Sequence, residues 1–86
     1  MVRIELYGVP RLRAGVHAVD VQASTIGDAL LQLQRACPQL EPEVLTGGKL
    51  NAAYVVAIDG GALTRDPQVP LSAGDTLVLL TSQAGG

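Results

Sequence analysis

Helical periodicity is confined to one segment of this 86-residue sequence, and strand-like segments lie on both sides of it. The apolar side chains of the segment recur at helical spacing: Ile26, Leu30, Leu33 and Cys37. Ser24 or Thr25 can cap the helix, Asp28 suits its first turn, and Pro38 ends it, so we predict a helix over residues 25–36. A single helix among strands is typical of a sheet with the helix packed across one face.

The strands are predicted from period-two alternation and from continuous apolar runs. They cover residues 2–6, 16–21, 53–58, 62–64 and 76–81. The turn residues between positions 8 and 15 predict a short loop that joins the first two strands in a hairpin. The runs 53–58 and 76–81 are apolar at nearly every position, which is typical of central strands. We therefore predict an α+β fold, a mixed sheet of four to five strands with one main helix on one face.

The second face of this sheet raises a question, because one helix covers only one face. In the run 53–58, Val55 and Ala57 point away from the face that Val56 occupies. One alternative is an exposed apolar patch, which often marks a partner surface. The other is that the connector 38–52 folds over that face, or that the fold has another layer.

Charge and composition exclude several classes of partner. Six basic residues are scattered among eight acidic ones, for a net charge of −2, and only two residues are aromatic. Such a chain lacks the basic stripe and the stacking platforms of a nucleic-acid binder. It also lacks an apolar run of membrane length or a signal peptide, so we expect no membrane association and a soluble cytoplasmic protein.

No residue pattern indicates catalysis, a metal site or a bound nucleotide. We expect His17, the only histidine, to be an exposed strand residue, and Cys37, the only cysteine, to be a small apolar core residue. Three acidic residues stand beside turn glycines or prolines, where they bond the local backbone: Asp59, Asp66 and Asp75. The "TGGKL" segment at 46–50 lacks the spacing of a phosphate-binding loop. We therefore predict no catalytic residue and no metal ligand in the chain.

The end of the sequence carries the functional signal. Strand 76–81 is followed by "SQAGG", and two terminal glycines occur by chance in about one chain in 200. Glycines without side chains can thread a narrow channel. The open terminal carboxylate could attack the α-phosphate of ATP in a partner enzyme that supplies Mg²⁺. We expect a single domain over residues 1–82 and a flexible C-terminal tail over residues 83–86.

Four segments together resemble one known family. They are "TIGDALLQL" at the helix start, "YVVAIDG" in the third main strand, "PLSAGDTLVLL" before and in the last strand, and the terminal "AGG". In this order and at this length the chain resembles the ubiquitin-like sulfur carriers, namely the small subunit of molybdopterin synthase and the thiamine-biosynthesis sulfur carrier. The resemblance covers essentially the whole chain and implies a β-grasp fold.

The resemblance also implies a role for the tail. The Gly86 carboxylate would be adenylated by a ubiquitin-activating-type adenylyltransferase and converted to a thiocarboxylate, with Gly85 and Ala84 entering the partner's active site. The sulfur would come from a sulfurtransferase or another donor and pass to a cofactor precursor, in some relatives on a larger synthase subunit. The chain would be a cosubstrate that binds no cofactor itself, ATP and Mg²⁺ being used by the activating enzyme.

Several destinations for the sulfur stay open at this point. Chain length and the 38–52 connector favour the molybdopterin branch of the resemblance over the shorter thiamine type. Thiamine, cysteine or another thio-metabolite is the alternative destination. A protein modifier conjugated to lysine through Gly86 is an alternative with overlapping chemistry. A binding domain whose two terminal glycines are incidental is the third.

Overall fold

The computed structural model describes residues 1–82, so the predicted tail, residues 83–86, lies outside the described part. The seven strands are β1 (Val2–Leu6), β2 (Ala18–Val21), β3 (Leu45–Thr46), β4 (Lys49–Leu50), β5 (Tyr54–Ile58), β6 (Leu63–Thr64) and β7 (Thr76–Thr81). The helices are α1 (Val9–Ala14), α2 (Ile26–Ala36) and one 3₁₀ turn (Pro38–Leu40).

Five strands form one mixed sheet in the order β2-β1-β7-β5-β6. The parallel pair is β1 with β7, and the other three pairings are antiparallel. A separate two-stranded hairpin joins β3 to β4. The predicted α+β architecture is confirmed, including the short edge strand β6 and the central position of β7, and the sheet with its main helix is a β-grasp fold.

The core fills the space between the sheet and α2. Its fully buried members alternate along the strands and recur along the helix, as the two periods of side-chain direction require. They include Ile4, Leu6, Ile26, Leu33, Val56, Leu77 and Leu79. Full burial of one such side chain contributes roughly 1.5–3 kcal/mol relative to exposure. Most of the aliphatic side chains therefore lie in the interface between the sheet and α2.

The start of α2 agrees with the sequence prediction. Thr25 is the N-cap, and its Oγ1 accepts a hydrogen bond of 3.1 Å from the backbone N–H of Asp28. The Asp28 carboxylate in turn accepts from the backbone N–H of Ser24 at 3.4 Å. These bonds satisfy backbone donors that the first turn of a helix cannot pair internally.

The loop predicted between the first two strands was wrong, because residues Val9–Ala14 form the short helix α1. Pro10 lies in its first turn, where a missing N–H costs nothing, and Gly15 ends it at φ 75°. Those residues also favour turns, and the Leu12 side chain is 82% exposed, so no apolar period revealed the helix. The second strand consequently begins at Ala18 rather than at position 16.

The connector 38–52 lies on the helix side of the sheet. As predicted, three of its side chains are completely buried: Leu40, Val44 and Leu45. They share the core cluster with Ile26 and Leu33 of α2. The predicted reversal at Gly47 and Gly48 is the turn between β3 and β4, with φ angles of 59° and 77°. The connector therefore does not cover the second face of the sheet, and the alternative that it folds over that face was wrong.

Candidate functional site

The face of the sheet that α2 does not cover, called the open face below, carries an apolar row across β7, β5 and β6. Strand register places the members side by side: Val55 opposite Leu80, and Ala57 between Val78 and Leu63. Leu63 is 59% exposed, Val78 and Leu80 are half-buried, and the two β5 side chains are sheltered between their neighbours. The exposed apolar patch predicted for this face is present.

The other half of the open face is polar and belongs to β1 and its surroundings. The Glu5 carboxylate is contacted by Arg3 Nε at 3.4 Å and accepts from the Tyr7 hydroxyl at 3.1 Å. This hydrogen bond, together with the negative charge of Glu5, raises the pKa of Tyr7. The guanidinium groups of Arg3 and Arg11 and the carboxylate of Glu5 line a cavity of about 170 Å³ here. Asp20 of β2 is exposed beside Arg3 on the same face, so the open face combines an apolar half with a polar half of mixed charge.

His17 lies at the edge of this polar half, in the bend before β2 rather than in a strand. It is exposed, as predicted, and Arg11 Nη2 donates to its Nε2 over 3.0 Å. A guanidinium cannot accept a hydrogen bond, so Nε2 is the unprotonated ring nitrogen in this contact. Neither a serine nor the cysteine joins this contact, and within residues 1–82 no group of three metal-ligating side chains occurs.

The remaining candidate side chains have structural roles. Asp59 Oδ1 accepts the backbone N–H of Thr76 at 2.9 Å, Asp66 Oδ1 that of Gln68 at 2.9 Å, and Asp75 Oδ2 that of Ser72 at 2.8 Å. The turn chemistry predicted for Asp66 and Asp75 is confirmed, whereas Asp59 bonds the start of β7, 17 residues away in sequence, and not its own turn. Cys37 is buried in the core, and this burial raises the pKa of its thiol. A thiol held protonated is a poor nucleophile, so its predicted role in the core is also confirmed.

The point where the chain leaves the sheet is fixed by β7. This strand is paired on both sides, with Leu79 beside Leu6 of β1 and Thr81 opposite Tyr54 of β5. Ser82 follows directly, and its backbone N–H donates to the carbonyl of Ala53 at 2.7 Å. The predicted site residues Ala84, Gly85 and Gly86 lie outside the described residues. The structure shows only Ser82, the residue at which the described chain ends, called the attachment point below.

Sequence reasoning missed two polar side chains at this attachment point. The Ser82 hydroxyl donates to the carbonyl of Ala52 at 3.1 Å, and the Arg65 guanidinium contacts carbonyls of the same loop. Both partners are backbone atoms brought together by folding, so no residue pattern in the sequence could have revealed them.

Comparison with solved structures identifies the family. The crystal structure of SAMP1 from Haloferax volcanii is 31% identical to this chain, over 99% of this chain and 98% of that one, with a TM-score of 0.79. A second crystal structure of the H. volcanii small archaeal modifier protein 1 is 33% identical over 91% and 92% of the two chains, with a TM-score of 0.74. The chain belongs to the ubiquitin-like sulfur carrier family.

A more distant carrier shares the fold. A chain of the Amycolatopsis orientalis BexX/CysO complex aligns over 100% of both chains with a TM-score of 0.81, at 19% identity. No protein-family model matches the sequence. No curated protein matches it either. Ubiquitin-like carriers and modifiers are small non-catalytic proteins, which is consistent with the sequence prediction of a cosubstrate. No helix within residues 1–82 has the length and apolarity that crossing a bilayer requires.

Proposed function

We propose that this ubiquitin-like carrier transports sulfur as a thiocarboxylate on Gly86. The observation that carries the proposal is the position of β7: a central strand paired on both sides leads through Ser82 to the Ala84-Gly85-Gly86 segment. In the sequence, Gln83 links Ser82 to these three residues, which carry no side chain larger than a methyl group. Family membership supports the same role.

The proposed chemistry has two stages, both in a partner's active site. The Gly86 carboxylate attacks the α-phosphorus of ATP, pyrophosphate leaves, and an acyl-adenylate forms. Hydrosulfide from a donor then displaces AMP and gives the thiocarboxylate directly. With a sulfurtransferase, its cysteine persulfide displaces AMP to form an acyl disulfide, and a second thiol reduces the S–S bond, which releases the thiocarboxylate and leaves a disulfide on the sulfurtransferase. The partner provides Mg²⁺ and basic groups, which neutralise the charge that develops on the phosphates. The carrier contributes docking and placement of one carboxylate.

The open face is the surface we propose for docking the activating enzyme. Its most exposed apolar side chain, Leu63, lies on β6, and the half-buried Val78 and Leu80 lie on β7, the strand that ends at Thr81. Exposed apolar patches bordered by polar residues often mark protein interfaces. Arg3 and Arg11 on the polar half would complement acidic side chains of that enzyme.

The acceptor that we propose first is the precursor of molybdopterin, handed over on a larger synthase subunit. Chain length and the 38–52 connector support this choice. A second candidate is a protein modifier, in which a lysine amine displaces AMP and forms an isopeptide bond. The 31–33% identity to proteins named as archaeal modifiers favours that candidate. Thiamine and cysteine precursors are further possible acceptors of the sulfur.

An intact mass measurement tests the proposal. The protein is incubated with the activating enzyme of its source organism, ATP, Mg²⁺ and a sulfur donor. We expect a mass change equal to replacement of one oxygen by sulfur, located at Gly86, and none in a variant lacking Gly85 and Gly86. Conjugates to lysine would support the modifier, and transfer of the sulfur to the pterin precursor would support the first acceptor. An unmodified wild-type protein would contradict both candidates.

A further inference from the structure

Arg65 makes an unusual set of contacts just after the edge strand β6. Its guanidinium donates to four backbone carbonyls of the segment 50–54, which is called the exit loop below. Nη2 contacts the carbonyl of Leu50 at 3.1 Å. Nη1 contacts those of Asn51 at 3.1 Å, Ala52 at 3.4 Å and Tyr54. The planar fork of an arginine can serve several acceptors at once, whereas the ammonium group of lysine is a point charge.

The exit loop also holds the last described residue of the chain. Ser82 bonds to it twice, through the backbone N–H to Ala53 and through the hydroxyl to Ala52. The carbonyl of Ala52 therefore accepts from both Ser82 and Arg65. Because both groups bond to this carbonyl, Arg65 helps to fix the position of Ser82, the residue that precedes the last four residues of the chain.

The loop is braced on its other side as well. The Asn51 side-chain amide donates to the carbonyls of Pro42 and Glu43 in the connector, the second at 2.7 Å. Most of the exit loop has no strand partner for its carbonyls, since β5 begins only at Tyr54. Arg65 supplies the donors that a neighbouring strand would otherwise provide.

We propose that Arg65 is a positioning residue for the transfer reaction, because it holds the exit loop that sets the place and direction in which the chain leaves Ser82. This inference rests on the proposed function of Gly86. Four extended residues span at most about 14 Å, so the position of Ser82 limits where the Gly86 carboxylate can reach in a partner's active site. A reacting group misplaced by about 1 Å can lose on the order of a hundredfold in rate.

Activation kinetics distinguish positioning from docking. In ATP-dependent adenylation by the activating enzyme, we expect Arg65→Gln to lower kcat on the order of tenfold and to leave KM for the carrier within about twofold. The matched control is Lys49→Gln, which removes the same charge from the same cavity wall but no carbonyl contact, and should leave both constants unchanged. Ser82→Ala should lower kcat less, and the double variant should not be additive, because both side chains act on the Ala52 carbonyl.

Amide hydrogen exchange in the free protein tests the same link without a partner. Arg65→Gln should speed exchange at Ser82 and Tyr54, and Lys49→Gln should not. If Arg65→Gln fails to fold, Arg65→Lys takes its place, with the same direction and a smaller effect. Unchanged exchange at Ser82, or an unchanged kcat with a raised KM, would overturn the inference. If the wild-type protein is never activated, the proposed function fails, while the exchange result still decides whether Arg65 holds the exit loop.

Discussion

Thr25 is the residue on which the start of α2 depends, since its hydroxyl accepts from Asp28. We predict that Thr25→Ala lowers the free energy of unfolding by about 1 kcal/mol, because a buried helix end then loses a cap. Thr25→Ser keeps the oxygen and should recover most of that loss. Urea denaturation followed by circular dichroism measures both; equal losses in the two variants would show that the methyl group, not the cap, matters.

Gly47 and Gly48 provide a second test at this scale, because both have positive φ angles but different surroundings. A Cβ on Gly47 would meet open space, while one on Gly48 would lie 3.2 Å from a methyl carbon of Leu31. Each change to alanine should cost about 1–2 kcal/mol for the left-handed backbone, and Gly48→Ala should cost more. Thermal unfolding of the two variants gives the order, and a reversed order would contradict the packing explanation.

Cys37 links burial to alkaline stability. Burial raises the pKa of its thiol above the ordinary 9.0, so above that pH the unfolded chain releases the proton while the folded protein still holds it. Folding stability is therefore complete below 9.0 and falls as pH rises through that value. We expect wild-type protein to lose more stability than Cys37→Ala over this range in urea titrations. Parallel curves would mean that the thiol does not titrate differently in the two states.

At the scale of elements, β5 and β7 are apolar at nearly every position although α2 covers only one face of their sheet. The apolar row across β5, β6 and β7 on the open face accounts for this excess. Each strand contributes one set of side chains to the core and the other to the open face. A surface of this composition is stable in isolation because its central members, Val55 and Ala57, are sheltered by neighbours on either side.

The docking role of this element can be separated from charge effects by two matched changes. Leu63→Asp places a carboxylate on the open face, and Leu12→Asp places the same group on α1, where the side chain is 82% exposed. We expect Leu63→Asp to raise KM for the activating enzyme on the order of tenfold, or about 1.4 kcal/mol of binding, with kcat retained. Leu12→Asp should leave KM unchanged. An equal effect of both would point to general electrostatic repulsion instead of a docking face.

At the scale of the whole molecule, the residues proposed to carry the chemistry lie outside the folded core. The described core lies entirely between Val2 and Leu79. Deletion of Gly85 and Gly86 should therefore change the free energy of unfolding by no more than about 0.5 kcal/mol, as for surface changes away from packed features. The same deletion should abolish adenylation in a pyrophosphate-release assay. A large loss of stability would place the terminal glycines in the fold itself.

Much of this molecule was predictable from local patterns. The helix, its Thr25 cap, the main strands and the buried connector follow from periodicity and capping, which depend on near neighbours in sequence. The helix α1 was missed because proline and glycine mark both turns and short helices, and only its buried Pro10 and Ala14 distinguish them. The candidate site was predicted as a sequence position, Gly86, and a face of the sheet.

The sequence by itself determined the family of folds, the apolar excess on two central strands and the terminal residues proposed to carry the chemistry. Each of these features depends only on the type and spacing of side chains, so it can be predicted without knowing which distant residues come into contact. Only the tertiary structure decided that the connector packs with α2 and leaves the other face open. It also decided that Arg65 and Ser82 meet at the carbonyl of Ala52. Those contacts join residues that are far apart in the chain, and their acceptors are backbone carbonyls. Because every residue has the same backbone carbonyl, the sequence does not indicate which of them will accept.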